Sequence, residues 1–344
     1  MTKFNIRVYL VTALTLITLA SCHKKRTVQT SFYFWKTVYN ISSTEQQYFD
    51  TLHCKKMYVR MMDVDVVDGN TIPVSPVTFK TPLPDSVQIV PVVFVVNEVL
   101  KNRTHKQLDD LAGKIVYYVA GKIKQSGKTS FNELQIDCDW TQTTRDNYFY
   151  LLNCIKANNQ LKNKYLSATL RLHQLKNQKG SGIPPVNRVM LMCYNMGNLR
   201  KYGSQNSILE QSELEKYIGH NLSKYPMPVD VGLPLFSWAV VFREKQYAGI
   251  AKRLNLALLS DNKLFHQNEP HLYTLQQNLP DYGLKRADEI RWETISGDQL
   301  QHAAQHIQKY LKSDTVNIIY FHLDEQSLKH YPYETLEETA ALFR

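Results

Sequence analysis

What most restricts the fold of this chain is a recurring alternation of short β-branched or aromatic runs with helical stretches. Eight runs have strand length and composition: 31–36, 57–62, 92–96, the segment from Glu133, 166–172, 188–194, 229–233 and 315–321. Between them lie helical patterns at 43–52, 104–124, 147–158, 207–222 and 334–343, and Ser296 followed by Gln299 reads as a capping box opening a helix that reaches Leu311. Strands that alternate with helices predict parallel strands joined by helical crossovers. No composition break divides the 344 residues, no GxGxxG or Walker-type loop follows a strand, and no solenoid period repeats. The pattern therefore predicts an α/β fold, a single (β/α)8 TIM barrel over 31–344, with a doubly wound open sheet as the alternative. Residues 238–243 and 246–251 read as a hairpin inserted between strands 7 and 8, followed by an irregular loop to Glu293. Pro91 is expected to lie outside the ladder of its strand, since proline has no N–H to donate.

The opening of the chain is not barrel. Lys3 and Arg7 precede an apolar stretch, 8–17, and Leu19-Ala20-Ser21-Cys22 closes it, which reads as a secretory signal over 1–21. Those four residues resemble the lipobox of bacterial lipoproteins. The resemblance implies lipid on Cys22, a tether over 22–30 and a place in a bacterial cell envelope, anchored without a spanning helix. Lys24, Lys25 and Arg26 follow directly, where cations favour anionic headgroups. The formal charge of +10 is otherwise scattered, which argues against nucleic acid as a partner. Cys54, Cys138, Cys154 and Cys193 show neither zinc spacing nor close pairing, and Cys138 and Cys193 are expected as buried thiols. No cofactor is implied.

In a barrel of this kind, chemistry collects where strands end and helices begin. The run Glu133-Leu-Gln-Ile-Asp-Cys-Asp-Trp-Thr141 delivers two carboxylates two residues apart, so Asp137 and Asp139 share a face. Paired carboxyls are what glycosidic cleavage requires, and aromatic faces suit the C–H surfaces of sugars. The other strand ends supply Trp35, Asp63, Glu98, Trp140, Tyr194, Asn195, Trp238 and Asp324, so a carbohydrate is the expected partner. Structural uses compete with each assignment. The aspartates can be held by loop amides or arginines, and Trp238 can pack the hairpin. His173 and His322 can be satisfied within the fold, and without close spacing they imply no metal site.

The stretch 134–141 resembles the fourth-strand signature of chitinase-like (family eighteen) glycoside hydrolases, Asp-x-x-Asp-x-Asp-x-Glu, with Asp137 and Asp139 on its middle carboxylates and Trp140 as a frequent companion. Met192-Cys193-Tyr194-Asn195 is similar to the family's sixth-strand Met-x-Tyr-Asp. The resemblance implies that Asp139 orients or stabilises developing positive charge, that Asp137 tunes it, and that Tyr194 bonds the reacting group. Leu134 replaces the motif's first Asp and Thr141 its terminal Glu, the family's acid. A threonine hydroxyl holds no titratable proton near neutrality. Glu293, or failing it Glu98, is the expected replacement. The expected function is that of an envelope-anchored glycoside-hydrolase-like lipoprotein. The alternatives are a non-catalytic glycan-binding lipoprotein and a protein-interaction lipoprotein.

Overall fold

A computed structural model describes residues 26–344; the signal, Cys22, Lys24 and Lys25 lie outside the described residues. Eight parallel strands close a barrel: β1 (Thr27–Phe34), β2 (Lys56–Val67), β3 (Gln88–Val95), β4 (Glu133–Asp137), β5 (Tyr165–Arg171), β6 (Arg188–Met192), β7 (Val229–Pro234) and β8 (Thr315–Phe321). Each pairs with the next, and β1 closes the ring by pairing with both β8 and β2. The outer layer includes α1 (Ser43–Thr51), α2 (His105–Gln125), α3 (Arg145–Ala157), α4 (Gly297–Gln308) and α5 (Tyr333–Ala341). The capping box at Ser296 and Gln299 opens α4, and Tyr148, Leu151, Leu152 and Ile155 form the buried stripe of α3, both as their spacing predicts.

Several boundaries move, for physical reasons. β1 begins at Thr27, because its backbone pairs with β8 from Thr27–Thr315 onward. β2 runs on past the barrel and turns at Asp68-Gly69 into the antiparallel strand Asn70–Val74. Both turn residues have positive φ, as a two-residue hairpin turn with right-handed strand twist requires. Asp63, expected at a strand end, is thus inside a strand. Pro91 also lies within its strand, against expectation. Pairing of β3 with β4 starts only at Val92, and β2 shifts register between Arg60 and Met62 beside it, so the absent N–H interrupts no regular ladder. The helix expected at 207–222 divides into Gln211–Tyr217 and Gly219–Ser223.

The insertion between β7 and β8 is larger than a hairpin. Trp238–Arg243 and Gln246–Ile250 pair as expected, but the segment read as loop adds Phe265–Glu269, Leu272–Leu275 and Glu289–Glu293, making a five-stranded antiparallel sheet. Its own apolar cluster includes Ala239, Val241, Tyr273, Leu275, Ile290 and Trp292, distinct from the barrel core. Phe265–Glu269 carries little hydrophobic alternation, and Leu272–Leu275 and Glu289–Glu293 are only four and five residues long, which is why the segment reads as irregular. Cys54, Cys138, Cys154 and Cys193 are free thiols, and only Cys154 is not buried. No helix among the described residues is long and apolar enough to cross a membrane.

At the end of the barrel where strands begin, Arg26 ties the first strand to the last elements. Its guanidinium donates to the carbonyls of Ser313 (2.9 Å), Phe343 (2.8 Å) and Leu311 (2.9 Å). The Thr27 N–H donates to the Asp314 carbonyl at 2.8 Å. Arg26→Ala is expected to lower unfolding stability by about 2 kcal/mol, from the loss of charge-assisted hydrogen bonds that leaves three carbonyls short of a donor. Denaturant unfolding measures this; an unchanged midpoint would show that solvent replaces the bonds fully.

Candidate functional site

Within a closed barrel the inward row of each strand meets the rows of the others along the axis. In β4 that row is Glu133, Gln135 and Asp137, all buried. Its direction is set by a contact across the axis: the Tyr33 hydroxyl of β1, a strand that does not adjoin β4, donates to Gln135 Oε1. Ser167 Oγ of β5 donates to Glu133 Oε1 at 2.7 Å, and Thr169 Oγ1 donates to Asp137 Oδ1 at 2.6 Å. Asp139 lies just past the end of β4, partly exposed. The Arg171 guanidinium at the end of β5 grips both of its oxygens, through Nε and Nη2.

The electrostatics follow from this depth. Burial pushes the Asp137 carboxyl up to about 7, and the charge of Asp139 adds to that; the Thr169 bond and Arg171 oppose it. Burial first, then Asp137, raises the Tyr194 phenol well above its ordinary value, so Tyr194 is a protonated hydrogen-bond donor beside the carboxyl. Burial lowers the His322 imidazole to about 4, and its Nδ1 has no hydrogen-bond partner among the described residues. Asn195, held at φ +54°, has a buried Oδ1 that is also without a partner.

Aromatic rings line the same end. Phe321, at the end of β8, packs against Trp35 (5.4 Å between centroids), Tyr194 (5.4 Å) and Phe236 (5.8 Å), and Phe236 continues to Trp238 (5.1 Å). Trp35, Phe236, Trp238 and Phe321 are all partly exposed, so this arc offers ring surface to a ligand. Asp63 stands behind it. It holds Arg60 through two 2.6 Å bonds, and that guanidinium lies 5.5 Å from the Trp35 ring.

The structure thus gathers Asp137, Asp139, Tyr194, Asn195, Trp35 and Trp238 at the barrel mouth, with Asp63 as a brace. The other candidates are placed differently. Glu293, expected as the replacement acid, is a buried structural anion. It accepts from Arg291 Nε (2.7 Å), the Ser207 N–H (2.7 Å), Ser207 Oγ (2.6 Å) and Trp238 Nε1 (2.9 Å), which leaves no oxygen free to present a proton. Trp140 points into the outer layer, 1% exposed, where it stacks on Tyr148 and donates from Nε1 to the Ser181 carbonyl at 2.9 Å. Glu98 is the exposed residue of the turn Asn97–Leu100 and pairs with Lys101. Asp324 caps the short helix Glu325–Leu328. Thr141 is exposed, and its hydroxyl is engaged with those of Thr143 and Thr144. His173 lies on the helix Leu172–Lys176. Among the described residues no group of three potential metal ligands is brought together.

Arg171, Thr169, Phe236 and Phe321 are the site residues that sequence reasoning missed. Arg171 and Thr169 were within reach: residues 167, 169 and 171 share one face of β5 by strand alternation. Phe236 and Phe321 carried no signal beyond lying at strand ends.

No protein-family profile matches the chain, and no curated protein is similar to it. Solved structures are similar in fold. The spore cortex-lytic enzyme SleL of Bacillus cereus superposes with a TM-score of 0.54 at 14% identity, over 93% of this chain and 75% of that one. A chitinase of Chromobacterium violaceum gives 0.54 at 12% identity, over 91% of this chain and 99% of that one. Catalytic domain 2 of the Group II chitinase of Ostrinia furnacalis, in a mutant complexed with an N-acetylated chitooligosaccharide, gives 0.52 at 10% identity, over 91% and 95%. At such identities the likeness is one of fold: this chain is a chitinase-like (β/α)8 TIM barrel.

Proposed function

We propose that this chain is an envelope-anchored, glycoside-hydrolase-like protein that binds a glycan at the barrel mouth without cleaving it. The observation that carries this reading is the bidentate Arg171–Asp139 pair, with Thr141 where the resemblance places an acid. In a cleaving site a carboxylate faces the positive charge that develops on the sugar, and a second carboxyl protonates the leaving oxygen. Here the first charge is already neutralised by a guanidinium, and the position of the second is a hydroxyl. Binding needs neither. The aromatic arc and the unpartnered Asn195 Oδ1 and His322 Nδ1 provide ring surface and hydrogen-bonding capacity for sugar C–H faces and hydroxyls. The bacterial and insect neighbours of this fold are named for chitin or cortex cleavage, which makes N-acetylated amino-sugar oligomers the first ligands to try. Lipid on Cys22 would hold the barrel at an envelope membrane.

One observation favours a second reading. A buried carboxyl at about 7 is a competent proton donor near neutrality. In that reading Asp137 takes over as acid, and cleavage is slow but real.

Calorimetry with N-acetylated chitooligosaccharides is expected to show binding, with no release of reducing ends. Trp35→Ala is expected to weaken binding about tenfold through loss of ring contact. Hydrolysis that disappears in Asp137→Asn would overturn the binding reading in favour of the second. Neither binding nor turnover would leave the mouth to a protein partner.

Asp137 also predicts a pH dependence of stability. Its folded value is raised, so the stabilising state is the protonated one. That contribution is complete below about pH 4, where the unfolded carboxyl is also protonated, and is lost as pH rises to about 7. Asp137→Asn, which keeps an acceptor for Thr169, is expected to gain on the wild type progressively between pH 4 and 7. The gain should be of order 3–4 kcal/mol at most. Parallel unfolding curves for the two proteins across that range would contradict the burial argument.

A further inference from the structure

The end of the barrel where strands begin carries a set of exposed lysines. Around the end where strands begin, the loops and last helical turns carry Lys55, Lys124, Lys162, Lys224 and Lys312, before β2, β4, β5, β7 and β8 respectively. All five are exposed, and none has an ion-pair partner among the described residues. On the same loops and last helical turns Asp50, Asp85 and Asp314 are exposed carboxylates, and exposed Glu337 lines the hollow that Lys55 also lines. The nearby acids that face inward are consumed within the barrel: Glu133 by Ser167, Asp230 by Arg188 and the Asn317 N–H. Five exposed lysines without an ion-pair partner among the described residues thus surround one pole, with these acids between them, while the arginine-paired carboxylates and the aromatic arc of the mouth occupy the other.

The chain enters the fold at the cationic pole. Arg26 is fixed there by three carbonyls, and it lies four peptide steps after Cys22. Four residues span at most about 14 Å, so a lipid on Cys22 brings this pole within that distance of a bilayer. Lys24 and Lys25 fall inside the same interval.

We propose that the cationic pole is a docking surface for the anionic lipid headgroups of a membrane, and that docking turns the barrel mouth away from the bilayer. The direction of the mouth rests on the lipid-tether reading above; the docking surface does not. A flat ring of separate lysines suits a surface of many mobile phosphates better than one bound ion, since each cation near an anionic leaflet adds its own increment of attraction.

The test uses chain from residue 23 onward, which carries no lipid but retains every residue of the described barrel. Its sedimentation with vesicles of phosphatidylcholine and phosphatidylglycerol is compared with sedimentation with phosphatidylcholine alone. Binding is expected to the anionic vesicles only, and to weaken as salt rises. Replacing Lys55, Lys124, Lys162, Lys224 and Lys312 with Glu is expected to reduce it at least about a hundredfold, since one such cation contributes roughly fivefold. The same charge reversal on the insertion, at Lys245, Lys252, Lys263, Lys285 and Arg286, is expected to leave most of it, and matching circular dichroism melts exclude unfolding. Absence of binding to anionic vesicles, or equal loss from both sets of substitutions, overturns the proposal. So does retention on an anionic polysaccharide without vesicle binding, which would assign the ring to a glycan. Fatty-acid labelling that Cys22→Ser abolishes tests the tether separately, so the two readings can fail independently.

Discussion

The inward row of β4 is polar throughout, and a closed barrel gives it nowhere to go but the axis. Glu133, Gln135 and Asp137 must each find a partner on another strand or incur the cost of a buried, unsatisfied group. β5 answers in step. Ser167 meets Glu133, Thr169 meets Asp137, and Arg171 meets Asp139 just above. These rungs tie two neighbouring strands by side chains as well as by backbone, and Tyr33 ties the middle one to the far wall. The same burial that demands partners also gives Asp137 its proton near neutrality.

Two features of the mouth bear on the proposed binding role together. Thr141, where the resemblance places an acid, carries a hydroxyl engaged with Thr143 and Thr144. Arg171 matches the charge of Asp139 with two donors, so that carboxylate is already paired within the protein. Asp139 stays partly exposed, and a bidentate guanidinium gives it the geometry and charge match that such a carboxylate lacks alone. Together they leave a polar rung below a ring-lined mouth.

The barrel was legible because its evidence is periodic: the strand and helix patterns repeat around the ring, so an error of several residues in any one boundary did not alter the topology. Pro91 shows the limit, since the register shift that accommodates it belongs to β2 and not to its own strand. The site was legible only in part. Asp137 and Asp139 were found because strand parity put them on one face, whereas Trp140 was misplaced by the same motif: past the last paired residue of β4 the chain turns, and its ring goes under α3. Glu293 misled for a related reason. A lone acid before a predicted helix looks available until its neighbours in space are known, and Ser207 lies 86 positions away.

Glu293 nevertheless explains how the inserted sheet can help to shape the mouth. Arg291, two residues earlier on the same face of its strand, donates to Glu293 and to the carbonyls of Leu199, Lys201 and Gly203 on the loop that follows β6. Glu293 receives Ser207 at the far end of that loop and Trp238 at the root of the insertion. One buried ion pair thus fastens the loop beyond Asn195 and the last ring of the aromatic arc to a single strand. Removing either charge would strand the other in a dry interior, so the pair constrains geometry more firmly than an exposed acid could. The carboxyl that seemed free to donate a proton is instead the one that holds the wall of the mouth in position.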